Sequence, residues 1–61
     1  MIHNNVEVLT FRRRSDVAMV VTDGRQTRVF ERTANTAVAS LKHGISMLES
    51  KGYAIDTEEW Q

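Results

Sequence analysis

Residues 17–31 read Val-Ala-Met-Val-Val-Thr-Asp-Gly-Arg-Gln-Thr-Arg-Val-Phe-Glu, and the arrangement of the whole chain turns on how they pair. Two runs rich in β-formers, 17–22 and 25–31, flank Asp23-Gly24, the strongest short-range hairpin signal. Two registers compete. A two-residue turn pairs Val17 with Phe30 and Met19 with Arg28, which mixes apolar and charged side chains on each face. A three-residue loop, Thr22-Asp23-Gly24 with the glycine left-handed, pairs Val17 with Val29, Met19 with Thr27 and Val21 with Arg25. The second register is expected because it makes one face consistently apolar, with Met19 in the core and Gln26 and Arg28 on the other face beside Ala18 and Val20.

Upstream, residues 5–11 (Asn-Val-Glu-Val-Leu-Thr-Phe) are a third strand. Downstream, Ala34, Ala37, Val38, Leu41, Ile45 and Leu48 fall within an arc of about 100° at helical spacing, which predicts a helix over 34–51. Thr33 or Asn35 can cap its start. Gly52 stands where a left-handed C′ residue belongs, with Tyr53 packing back on Leu48. Gly44 costs such a helix about 1 kcal/mol relative to Ala, and close contact between helix and sheet accounts for its presence. Residues 53–57 have the makings of a short final strand, before an acidic, solvated end, Glu58-Glu59-Trp60-Gln61, whose tryptophan is expected to fold over the core. The expected fold is α+β: a three-stranded antiparallel sheet (β-β-β) packed against one C-terminal α-helix, in one small domain spanning 1–61. This element order is similar to that of small antitoxins with a partial double-stranded-RNA-binding fold and of compact phage-encoded inhibitors, a likeness of layout alone.

A chain of 61 residues buries only about 60% of its unfolded surface, so its core barely outweighs chain entropy. With no cysteine, disulfides are excluded, and His3 and His43 are too few for a structural zinc site. Association, as a homodimer or with a larger protein, is the expected source of further stability. No apolar run is long enough to span a bilayer, and the amino end lacks the pattern of a secretory signal, so a cytoplasmic location is expected. Net charge is zero, which is unlike a dedicated nucleic-acid binder, although every arginine falls in residues 1–32 and carboxylates prevail beyond.

Catalytic constellations are poorly represented. His43 has no acid at a suitable helical spacing, Ser46 is turned from it by about 60° of helix, and the glycines at 24, 44 and 52 stand alone, so no phosphate loop exists. No enzyme activity, cofactor, metal site or small-molecule substrate is expected. Two surfaces stand out. Arg12-Arg13-Arg14 reads as a basic loop, joined in space by Arg28, able to neutralise phosphates or an acidic protein surface. Thr36, Ser40, His43, Met47 and Ser50 follow one another in steps of four and three, forming a charge-poor helical stripe opposite the apolar one, of the kind that suits an interface. The expected function is therefore a small non-catalytic protein-interaction module of the phage or toxin-antitoxin inhibitor type, binding and blocking a larger protein through that stripe. The alternative is a small nucleic-acid-binding regulator using the Arg12–Arg14 loop.

Overall fold

Strands β1 (Glu7–Arg13), β2 (Asp16–Thr22), β3 (Thr27–Phe30) and β4 (Asn35–Val38) precede the helix α1 (Leu41–Ser50) and a last strand β5 (Ala54–Trp60) in the computed structural model, which describes residues 5–60. Met1–Asn4, with His3 among them, and Gln61 lie outside the described residues. All strands pair antiparallel in one sheet ordered β4-β3-β2-β1-β5. The α+β class holds, with five strands where three and a short final one over 53–57 were expected. The chain leaves one edge of the sheet at β4 and re-enters at the other as β5, and α1 lies on one face in between, against β2, β3 and β4. No helix of the described residues is long and apolar enough to cross a membrane.

The core lies between α1 and that face. Leu9, Val20 and Val29 stand in register across β1, β2 and β3, with Phe11 beside Ala18 in the next row, and all five are buried. Leu48 and Tyr53 close over them. The helix comes close because Gly44 has no side chain: a Cβ there would stand 2.8 Å from Val20 Cγ1 and 3.2 Å from Val29 Cγ2. Close packing is thus the reason for this glycine.

The hairpin register differs from both expected ones. Thr22 pairs with Thr27, Val20 with Val29 and Met19 with Phe30, leaving a four-residue loop, Asp23–Gln26. The cause is the Asp23 side chain, whose Oδ1 accepts the backbone N–H groups of Arg25 and Gln26 at 2.8 Å each and so extends the turn past Gly24. These two bonds, Gln26 first, also hold the Asp23 carboxyl below its ordinary range. The sheet faces are exchanged as a result: Ala18 and Val20 are core, while Val17 and Met19 are exposed.

The helix begins at Leu41, not Ala34. Residues 35–38 pair with β3 instead, and their alternation of Thr36 and Val38 with Asn35 and Ala37 fits a strand as well as a helix. Ser40 is the N-cap, its Oγ accepting the His43 N–H. The far end is as expected. Gly52 has φ +89° and donates to the Glu49 carbonyl, and Tyr53 donates to the Leu48 carbonyl, the paired bonds of a Schellman ending.

The acidic end is a strand and not a solvated tail. β5 pairs along β1 over Ala54–Trp60, with Asp56 as an extra residue in a bulge where the pairing steps from Thr10–Thr57 to Phe11–Ile55. Trp60 is 66% exposed and does not fold over the core. Glu7, on the helix side of β1 and only 8% exposed, lies against Glu58. The hydrogen bond between these carboxyls, then burial, then the neighbouring charge raise the Glu7 pKa above its ordinary 4.5. A raised acid is favoured in its protonated form by folding, so the contribution of Glu7 to stability is fullest below pH 4.5 and is lost as pH rises through the folded value. Glu7→Gln should raise the thermal midpoint at neutral pH and flatten this part of the pH–stability curve; an unchanged slope would refute the pairing.

Candidate functional site

The face of the sheet away from α1 has no covering layer among the described residues. Strand alternation and the observed register put the same rows of residues on it. One row runs Asn35, Phe30, Met19, Thr10, Thr57, and the next runs Ala37, Arg28, Val21, Val8, Glu59. Val17 lies beside Arg12 in the row beyond. Val17 is 42% and Met19 37% exposed, and Val8, Val21 and Phe30 are half-buried by their neighbours in the sheet alone. A shallow cavity of 210 Å³ opens between Val6, Val21, Phe30 and the Asp23–Gln26 loop.

Polar groups ring this apolar centre. Arg28 Nη1 donates to Asn35 Oδ1 at 3.1 Å on the β4 side, and Arg12 Nε pairs with Asp56 Oδ2 at 2.9 Å on the β5 side. An apolar centre with a polar rim is the anatomy of a protein interface, where burying the centre supplies the driving force and the rim fixes orientation.

The arginine cluster is divided by the strand it sits in. Arg12 and Arg13 belong to β1, where neighbouring side chains leave by opposite faces, and only Arg14 and Ser15 form the turn. Arg13 points to the helix side. Its Nη1 donates to the Lys51 carbonyl at 2.7 Å and its Nη2 to Asp16 Oδ2 at 3.2 Å and the Tyr53 hydroxyl at 3.4 Å, while the guanidinium lies 4.3 Å from the Tyr53 ring centroid. Lys51 Nζ in turn reaches both oxygens of Glu31 at 3.0 Å. Arg13 thus clasps the helix end to the β1–β2 hairpin. Arg28 does not join the cluster: it stands opposite Val21, four residues along β2 from Val17, the partner of Arg12, or about 13 Å at strand rise. Arg32 takes its place, lining a cavity with Ser15, Asp16 and Val17.

The five residues expected as a helical stripe are distributed over four settings. Thr36 lies in β4, Ser40 caps the helix, and Met47 is half-buried against the core. His43 and Ser50 are exposed, with Ser50 Oγ donating to the Met47 carbonyl at 2.7 Å. His43 Nδ1 stands 2.7 Å from Ser40 Oγ. That hydroxyl also holds the helix cap, and no hydrogen bond to the second ring nitrogen is found among the described residues, so the pair lacks the orienting third group of a nucleophilic site. No cluster of three or more His, Asp or Glu able to hold a metal occurs among the described residues.

One helix on one sheet leaves a face uncovered; the expected hairpin register put Ala18 and Val20 on it, and the observed register puts Val17, Met19 and Val21 there instead. The signal was present in Val17, Met19 and Val21 alternating with Ala18 and Val20: both sets are apolar, and a sheet with two apolar sides needs two covers. No family model matches the chain, and no curated protein or solved structure is significantly similar to it.

Proposed function

We propose that this chain is a non-catalytic protein-interaction module of the cytosol that docks its open sheet face onto an apolar surface of a larger protein, blocking that surface in the manner of an inhibitor. The observation that carries this reading is the exposure of Met19 and Val17 on the central strand of a sheet that, among the described residues, is covered on one side only. Arg28 at the rim, hydrogen-bonded to the neutral Asn35 amide, favours a partner with an acidic residue beside its apolar patch.

The test is capture of partners from a host extract by the wild-type chain, by Met19→Glu and by Lys42→Glu, a change on the exposed side of α1. A carboxylate placed in the buried centre of an interface lacks a partner and loses its water. Met19→Glu should therefore weaken capture at least about tenfold, near 1.4 kcal/mol, while Lys42→Glu leaves it intact. Equal capture by Met19→Glu would remove the open face from the proposal and return attention to Ser40, His43, Met47 and Ser50.

The nucleic-acid reading has a narrower footing. Arg14 is exposed at the turn with Arg32 near that end, but Arg12 is paired with Asp56 and Arg13 is engaged internally. Retardation of random DNA or RNA that fades steeply with salt and with Arg14→Glu would support it.

A further inference from the structure

The two edges of the sheet are built differently. β5 carries Asp56, Glu58 and Glu59 and is bent by the bulge at Asp56. Charge and bulges are devices by which an exposed edge avoids pairing with another chain. β4, Asn35-Thr36-Ala37-Val38, has no charge and no proline, and its pairing with β3 runs without a break.

The direction of the free backbone groups of β4 follows from one hydrogen bond. Glu31 donates its N–H to the Ala34 carbonyl at 2.8 Å, so 31 and 34 form a hydrogen-bonded pair. Antiparallel ladders alternate, and the pairs 30–35 and 28–37 are then of the non-hydrogen-bonded kind. Asn35 and Ala37 therefore turn both N–H and C=O outward, away from β3. That row is a template for a further strand.

We propose that the strand it receives is β4 of a second copy of this chain, paired antiparallel about a twofold axis at Thr36. In this register Asn35 of each copy exchanges backbone bonds with Ala37 of the other, and Thr36 faces Thr36 of the other across a non-hydrogen-bonded pair. Residues directly opposite share a face, so both helices lie on one side and the two open faces join into one platform. The charges permit it. The two Arg28 residues are three strand spacings apart and offset by two residues along the strands, about 16 Å, beyond a screening length of about 8 Å. The equivalent pairing of β5 about Thr57 would set Asp56 against Glu58. An uncharged strand next to an uncharged copy of itself meets no such opposition. The edge is short, so the dimer belongs with the small interfaces below about 1,200 Å² that form and dissociate readily.

Hydrogen exchange on the wild-type chain, from low micromolar to near-millimolar concentration, tests this without a mutation. The amides of Thr36 and Val38, bonded to β3, should be protected throughout. Those of Asn35 and Ala37 should gain protection with concentration, about tenfold when nine-tenths of the chains are paired. The chain has no cysteine, so Thr36→Cys supplies a single thiol, and two such residues would stand about 4.5 Å apart at Cα, within disulfide reach. Mild oxidation should link Thr36→Cys as a dimer and leave Glu59→Cys monomeric. Exchange at Ala37 that is fast and independent of concentration overturns the proposal, as does equal crosslinking of the two cysteine variants.

Discussion

Gly44→Ala should destabilise the protein by about 2 kcal/mol in chemical denaturation, against the direction that helix propensity predicts. In an unpacked helix the change gains about 1 kcal/mol. Here the new methyl would stand 2.8 Å from Val20 Cγ1 and 3.2 Å from Val29 Cγ2, where carbon atoms prefer about 3.5–4.0 Å. Both valines are fully buried, and β-branched side chains have little rotational freedom with which to yield. The helix must lift instead, loosening Leu48, and overpacking of this kind costs about 1–3 kcal/mol. A domain of this size has a total stability of only about 3–9 kcal/mol. Val20→Ala should recover part of the loss in the Gly44→Ala background, with a coupling of at least about 0.5 kcal/mol in a double-mutant cycle. Stabilisation by Gly44→Ala, or strict additivity of the two changes, would show that the helix does not rest on these valines.

Arg13→Ala should cost a similar amount, about 2 kcal/mol. The largest part is the 2.7 Å bond to the Lys51 carbonyl, a group at the end of the helix. The ion pair with Asp16 contributes little, since its side chains are 39% and 36% exposed and water screens them. Stacking on Tyr53 adds less than about 1 kcal/mol. Arg13→Lys should recover less than half of the loss, because an ammonium cannot reach the carbonyl, carboxylate and hydroxyl together while lying flat on a ring. The Gly52 and Tyr53 amides should exchange faster in both variants. Full recovery by lysine would reduce Arg13 to a simple charge.

Local rules served where the chain's own neighbours decide the outcome. Gly52 and Tyr53 end the helix as read because the bonds involved span only five residues. Asp23-Gly24 is a turn as read, but its length depended on a side chain: Asp23 Oδ1 takes two amides that a glycine-centred turn leaves free, and that displacement carried Met19 from core to surface. Non-local pairing decided the rest. Residues 35–38 satisfy both helical and strand periods, and the free edge of β3 selects the strand. Glu58 and Glu59 have poor strand propensity, and the free edge of β1 overrides it. The arginine cluster was legible in composition and dissolved by geometry, since a strand sends Arg12 and Arg13 to opposite sides. The open face was expected but assigned the wrong residues for the same reason, because only the true register shows which apolar set α1 covers.

The contrast between the two borders of the sheet also bears on how large an assembly can become. A single-layer sheet with two receptive borders would grow copy upon copy into a fibre. Here the carboxylates and kink of β5 terminate growth on one side. In the dimer proposed through β4, both outward borders would be β5 strands, so assembly would stop at two chains.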